Sequence, residues 1–323
     1  MKAMVRDVYG SPDVLELRDI DIPECADDEV LLRVRAAGVG RDVWHVLTGL
    51  PYPIRLAGFG FRAPKNPVIG SDVAGVVEAV GKDVSRFKPG DEVFGIGKGA
   101  YAEYVCALED KLAPRPENLT FEQAGVVPIM GSTALQALRD HGRVEPGQEV
   151  LIIGASGGVG TYAVQIAKAF GAHVTGVCST TKVGMVRSIG ADHVIDYTRE
   201  DFAEGDQRYD VILDIGGNSS LSRLRRALAS QGILVIVGGE GGGRWLGGTD
   251  RQLRAMMLSP FVGQKLSTFV NKENYEDLLV LKELTESGKI TPVIDKTYPL
   301  SEVPEAMRYL EQGHARGKVV ISV

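Results

Sequence analysis

The sequence predicts an α/β protein built from a small β-barrel and a doubly wound parallel sheet. Three observations carry this. Up to about residue 125, short runs alternate apolar and polar side chains. From Pro128 onward, strand-like and helix-like stretches alternate. Within the second region, an apolar run at 149–154 breaks into a loop of four glycines that opens a helical pattern.

The barrel strands come first. In "DEVLLRVRAAGV" (28–39), Val30, Leu32, Val34 and Ala36 alternate with Leu31, Arg33 and Arg35, the period of a strand with one buried face. "DVAGVVEAVG" (72–81) and "DEVFGIGKGAYAEYVCAL" (91–108) are further short β-branched runs, separated by turn signals such as "KPGD" (88–91). Short strands punctuated by glycine fit a small barrel. "TALQALRDHG" (133–142) reads as a helix. Strands are expected at 149–154, 173–178, 193–197, 209–214 and 232–237, with helices near 158–170, 182–189 and 218–229. That alternation marks βαβ units in a parallel sheet, to which "GQKLSTFV" (263–270) adds an edge strand. After residue 272 come a helix ("NYEDLLVLKELTESG"), a strand ("ITPVIDKTYPL"), a helix ("EVPEAMRYLEQG") and a strand ("KVVISV"). These late strands resemble those of the first region. The expected domains are therefore 1–126 with 272–323, and 127–271.

The glycine loop is Gly154-Ala155-Ser156-Gly157-Gly158-Val159-Gly160. Val159, Ala163, Ile166, Ala167 and Phe170 follow at helical spacing as a buried face. Gly154 permits a tight turn, Gly157 lets the backbone approach a pyrophosphate, and Gly160 permits close helix–sheet packing. N–H groups at the helix start then bind phosphate oxygens. Gly154, Ser156, Gly157, Gly158, Val159 and Gly160 are thus assigned to a dinucleotide; a glycine-rich turn without ligand is the plainer alternative. An NAD site usually places an acid about 20 residues further on. Here "GVCSTTKVG" (176–184) has none, and offers Ser179, Thr180, Thr181 and Lys182 instead. A carboxylate repels a 2′-phosphate and these groups bind one, so NADP(H) is the expected cofactor. "GHARGKV" (313–319) hints at a P-loop, but its spacing is short and Val319 replaces the Ser or Thr.

Composition bounds the rest. Apolar residues make up 44% and charged residues 24%, a globular balance, and the net charge of −6 points away from nucleic acid and anionic membranes. No apolar run reaches about 18 residues, so no membrane span is expected. "MKAMVRDVYGSPDV" lacks the apolar core of a signal peptide. Cys25, Cys106 and Cys178 lie far apart and suggest no disulfide framework, hence a reducing cytoplasm.

Taken together, these stretches resemble the medium-chain dehydrogenase/reductase superfamily, and most closely its zinc-free branch of quinone oxidoreductases and enone reductases. The resemblance runs in order through "AAGVGRDVWH" (36–45), "PVIGSDVAGVVEAVG" (67–81), "FKPGDEVFG" (87–95), "YAEYV" (101–105), "GSTALQAL" (131–138), the glycine loop, "GADHVIDY" (190–197) and "DVILDIGG" (210–217). It implies a GroES-like β-barrel domain followed by a Rossmann domain, a cofactor in the cleft between them, and a homodimer or tetramer pairing through "GQKLSTFV". Zinc-dependent relatives carry a Cys where Gly40 stands and a His-Glu pair where Ser71 and Asp72 stand. Catalytic zinc needs three protein ligands, so no metal is expected. His45, beside Trp44, could substitute as a ligand, but nothing near it completes a set.

Without zinc the chemistry narrows. Alcohol oxidation needs a stabilised alkoxide, which zinc supplies as a Lewis acid. Hydride addition to a quinone or enone builds an enolate-like oxygen that hydrogen-bond donors stabilise. The resemblance places His45 at the nicotinamide cleft as a donor to the substrate oxygen, with a structural histidine as the alternative. Arg41 binds an oxyanion or phosphate, or faces water. Tyr52 belongs to a pocket loop, "GLPYPIRLAGFGFRAPKNP" (49–67), whose Leu50, Leu56, Phe59 and Phe61 fit an apolar substrate or simple core packing. By resemblance Thr133, Phe261 and Val262 approach the nicotinamide and Tyr197 the 2′-phosphate, while Arg316 or Lys318 reaches the cofactor. Asp214, Gly238 and Gly239 end strands, where ligands bind in open α/β sheets. Two other readings stay open: metal-free alcohol or aldehyde oxidoreduction, and a non-enzymatic NADPH-binding structural or regulatory protein.

Overall fold

The computed structural model describes residues 1–238 and 243–323, so Gly239 lies outside the described residues. The chain forms two compact units, residues 1–132 with 272–323 and residues 133–271. The first unit opens with β1 (Lys2–Val5) and β2 (Glu16–Asp19), an antiparallel pair. Then come β3 (Glu29–Val39), β4 (Asp72–Val80), β5 (Glu92–Ile96), β6 (Tyr104–Leu108) and β7 (Leu112–Pro114). Helix α1 (Arg41–Thr48) follows β3, and α2 (Phe121–Ala124) and α3 (Pro128–Gln136) follow β7.

The second unit contains β8 (Glu149–Ile153), α4 (Gly158–Ala169), β9 (His173–Cys178), α5 (Val183–Ser188), β10 (His193–Asp196) and β11 (Tyr209–Asp214). It continues through α6 (Leu221–Ala227), β12 (Leu228–Ile236), α7 (Gly243–Leu246), α8 (Thr249–Leu258) and β13 (Lys265–Thr268). The chain then returns to the first unit with α9 (Tyr275–Glu286), β14 (Ile294–Pro299), α10 (Val303–Glu311) and β15 (Lys318–Ser322).

In the first unit the sheet order is β14-β15-β3-β4-β5-β7, with β6 also pairing β3. β3 explains its own position. Val30, Leu32 and Val34 point into the core while Leu31, Arg33 and Arg35 point outward, and from Ala36 to Val39 every residue is buried. That continuous buried end is where β15 joins antiparallel, Val319 opposite Val39 and Ile321 opposite Ala37. Leu32, Val34, Val73, Val93, Leu112 and Ile321 share one core.

The second unit is a six-stranded parallel sheet, β10-β9-β8-β11-β12-β13. Its inner strands are buried in continuous runs rather than alternately, over Val150–Ile153, Val174–Cys178 and Val211–Asp214, as a sheet covered on both faces requires. Two expected boundaries moved. The helix expected near 218–229 stops at Ala227 because Leu228 already pairs with Tyr209, ahead of a bulge that delays the main register until Val211 meets Ile233. The helix expected at 133–142 starts at Pro128 and widens into a π-type turn over Ala137–His141 before Gly142.

One expectation is overturned. Cys25 and Cys106 form a disulfide, with Cα atoms 5.5 Å apart. Their sequence separation of 81 hid the pairing, since only the antiparallel β3–β6 ladder brings the two together. The cysteine content therefore no longer argues for a reducing compartment. No described helix is long and apolar enough to cross a membrane.

Candidate active site and cofactor cradle

In the second unit, β8 runs into Gly154 at φ +90, the left-handed region that favours glycine. The Gly154 and Ala155 N–H groups donate to the Val177 carbonyl (3.2 and 3.1 Å), locking the turn to β9. Gly157 caps α4, and the first helical bond runs from Thr161 N–H to Gly157 O at 2.9 Å. The N–H groups of Gly158, Val159 and Gly160 precede that bond, and the loop around them is half-buried rather than sealed. A Cβ on Gly160 would stand 2.1 Å from the Gly154 oxygen, whereas one on Gly157 would meet nothing nearer than 3.5 Å. The loop is thus closed behind Gly160 and open above Gly157, a fit for a pyrophosphate. Ser156 is buried. Burial of α4 is wider than the expected stripe, unbroken from Gly160 to Ala167, while Val159 and Phe170 are only partly covered.

The neighbouring strand ends carry the adenosine-side candidates. Ser179 follows β9, and Lys182 ends the turn that leads into α5. Tyr197, 60% exposed, follows β10, and its N–H donates to Cys178 O at 3.1 Å. An acid does enter this region, from the next strand. Asp196 lies opposite Cys178, and its carboxylate accepts the hydroxyls of Thr180 (2.6 Å) and Thr198 (2.8 Å) and pairs with Arg199. The Thr180 hydrogen bond, above all, holds the Asp196 carboxyl below its usual range. Thr180 is therefore spent on Asp196.

At the ends of β11 and β12, Asp214 is fully buried and accepts from Gly217 N–H at 3.2 Å. Arg251 of α8 pairs with Asp214 and donates to the carbonyls of Ser219 and Gly238, both at 2.9 Å. Burial pushes the Asp214 carboxyl up, against the pull of Arg251. Asp214 and the Gly238 carbonyl are thus committed to Arg251, a residue that sequence reading missed because its partners lie 13 to 37 positions away. A cavity of about 430 Å³ lies beside them, lined by Asn218, Ser219, Asp250 and Arg254 among others. Thr133 is half-buried on α3, and Phe261 is 84% exposed after α8.

In the first unit, Gly40 is the only residue between β3 and α1. The His45 Nδ1 lies 2.7 Å from Leu50 O. A carbonyl only accepts, so Nδ1 carries the proton of this bond and Nε2 is the ring nitrogen outside it. Trp44 packs edge-on against His45 and anchors to Glu311, and Arg41 stacks over Trp44. Tyr52 stacks on Arg55, which is sandwiched against Tyr9 and donates to Gly49 O at 3.0 Å. The Tyr9 hydroxyl donates to the Phe59 and Gly60 carbonyls, so the 50–60 loop is tied down while Leu56 and Phe61 stay exposed.

The residues in the metal position do not fit zinc. Gly40 brings no donor, and a Cβ there would collide with Asp42 and Met130. Asp72 accepts from Ile129 N–H at 2.8 Å and faces the Lys318 ammonium at 3.4 Å. Lys318, 2% exposed, is thereby removed from the cofactor-binding role expected for it. Among the described residues, the donor group close enough for a metal is Cys25, Glu29 and Cys106, and its two sulfurs are bonded to each other.

Residues 26–117 match the family model described as alcohol dehydrogenase GroES-like domain, and residues 189–321 the one described as zinc-binding dehydrogenase. The chain is 35% identical over 360 residues to the mitochondrial NAD(P)H oxidoreductase RTN4IP1 of Bos taurus, covering 100% of this chain and 89% of that protein. It is 35% identical over 339 residues to the chloroplastic NADPH-dependent alkenal/one oxidoreductase of Arabidopsis thaliana, covering 99% of this chain and 79% of that one. Among solved structures, the Escherichia coli quinone oxidoreductase complexed with NADPH matches with a TM-score of 0.84 at 26% identity, covering 100% of both chains.

Proposed function

The chain belongs to the medium-chain dehydrogenase/reductase superfamily, in its quinone oxidoreductase-like branch, and on that footing we propose a zinc-independent, NADPH-dependent reductase of quinones or α,β-unsaturated carbonyls. The observation that carries the reading is the ammonium of Lys318 facing Asp72 at 3.4 Å, with Gly40 and Ser71 standing where zinc-dependent relatives carry metal donors. With no Lewis acid to stabilise an alkoxide, reduction of a conjugated carbonyl is the chemistry this donor set favours.

NADPH, when bound, supplies the hydride. The N–H groups at the start of α4 hold its pyrophosphate, and Ser179, Lys182 and Tyr197 its 2′-phosphate. His45 polarises the substrate oxygen. Because Nδ1 is committed to Leu50 O, Nε2 donates only from the imidazolium, so protonated His45 delivers the proton and the neutral ring remains. Arg41 holds the developing oxyanion, and Tyr52 lines the apolar substrate loop.

Steady-state assays across quinones, enones and alcohols, with NADPH and NADH and after chelation, test this. Chelator-insensitive reduction of a quinone or enone is expected. Alcohol oxidation as the main activity, or stoichiometric zinc, overturns it. Lys182→Ala should lower kcat/KM for NADPH by ~10- to 100-fold, the loss of a charge-assisted phosphate contact, and leave NADH nearly unchanged. Among the described strands β13 stands at one edge of the parallel sheet, the edge through which we propose a homodimer, tested by light scattering.

A further inference from the structure

We propose that Cys25 and Cys106 are a reversible oxidation site, a thiol pair that a low-molecular-weight disulfide converts into a covalent staple across the start of β3. The site uses no residue of the reaction proposed above. Two features of the fold bring the sulfurs together. β6 runs antiparallel to β3 with Cys106 opposite Leu31. Before β3, the Glu29 N–H donates to Ala26 O (3.1 Å) and the Ala26 N–H to the Glu29 carboxylate (3.0 Å), so the chain turns back and lays Cys25 over β6. The resulting Cα separation of 5.5 Å sits within the disulfide range of roughly 4.4–6.8 Å.

Access distinguishes this pair from the third cysteine. Cys25 and Cys106 are both half-buried, within reach of a small thiol or disulfide. Cys178 is 2% exposed, and burial pushes its thiol up to about 11, so it stays out of exchange. Residues 20–26, which carry Cys25, form no helix or strand and are mostly exposed. Hydrogen bonds hold the two ends of this link, at Ile20 and at Ala26, and the staple adds a covalent tie to β6 at Cys25.

Oxidation proceeds by exchange. One cysteine thiolate attacks the small disulfide, forms a mixed disulfide and releases one small thiol. The second cysteine thiolate attacks the mixed bond and releases the other. The protein loses two protons and two electrons, and the small disulfide is reduced to two thiols. A dithiol reverses the sequence. The staple lies at the first turn of the ladder, and β3 then runs 11 residues, roughly 35 Å, before α1 begins. It acts on stability and leaves turnover alone.

The test equilibrates the folded protein with oxidised glutathione or dithiothreitol, then denatures it, alkylates free thiols and measures intact mass and peptide maps. Of the three cysteines, one is expected to be alkylated after oxidation and three after reduction, with a Cys25–Cys106 cross-linked peptide in the oxidised sample. Reduction should lower the melting midpoint of the wild type by roughly 4–12 °C. Cys25→Ser should melt at one temperature in both buffers, and Cys178→Ser should keep the wild-type response. Three alkylated cysteines after oxidation overturn the proposal, as does a reductant-dependent shift that survives Cys25→Ser.

Discussion

Gly157 and Gly160 lie three positions apart on one loop, and a methyl group at each would meet different surroundings. At Gly160 it would stand 2.1 Å from the Gly154 oxygen and 2.8 Å from Ala155, backbone that cannot yield. Gly160→Ala is expected to destabilise the fold by ~1–3 kcal/mol, read as a lower melting midpoint. Gly157 has φ −86 and its methyl would make ordinary contact, so Gly157→Ala should melt within ~0.5 kcal/mol of wild type. The same methyl fills the side on which we propose that the pyrophosphate approaches, so the Kd for NADPH should rise ~10-fold or more, a loss of ~1.4 kcal/mol. An unchanged Kd in calorimetry would place the pyrophosphate elsewhere. The tight turn at Gly154 and the close packing at Gly160 were legible because each depends on neighbours within a few residues. The Asp196–Thr180 bond and the partners of Arg251 were not, because they meet only after parallel strands have stacked in register.

Helix α1 shows the same limit at the scale of an element. It carries Arg41, Trp44 and His45, yet its eight residues bury only Val43 and Leu47, too short a pattern to separate from the strand before it. β3, by contrast, was plain from its alternation. What holds α1 comes from far upstream. Arg6, 1% exposed, donates to the Val46 and Leu47 carbonyls at the C-terminal end of the helix. Burial lowers its pKa to about 10, which still leaves a cation at neutral pH where the helix dipole favours one. Arg6→Met should therefore cost ~2 kcal/mol of stability by stranding a carbonyl. It should also lower kcat several-fold by loosening His45, with the KM for NADPH unchanged because the phosphate cradle belongs to residues 133–271. Arg6→Lys, which keeps the charge, should recover part of kcat. A fall in stability with kcat intact would limit Arg6 to a structural part.

Over the whole molecule, the return of the chain end to the first unit was readable from the late strand pattern, but its fastening was not. Lys318, at the start of β15, meets Asp72 of β4 across 246 residues, both almost without exposure. Burial, with a contribution from Asp42, pushes the Asp72 carboxyl up to about 6, and Lys318 pulls the other way. The folded chain thus holds this proton more tightly than the unfolded one, whose carboxyl titrates near 3.8. The stability this carboxyl contributes is fully present below that lower value and is lost as pH rises through about 6, by at most about 3 kcal/mol. Lys318→Met removes the opposing pull, so the carboxyl rises further and the decline becomes steeper and extends to higher pH. At pH 8 the variant should lose ~3–5 kcal/mol against wild type, the cost of a buried charge left unpaired. At pH 4.5, where the carboxyl is protonated in both proteins, most of that difference should vanish. Adding Asp72→Asn should restore stability at pH 8 and flatten the profile. Urea melts at the two pH values decide it: an equal loss at both would mean that Lys318 acts through packing in β15, and that its charge does not hold the chain end in place.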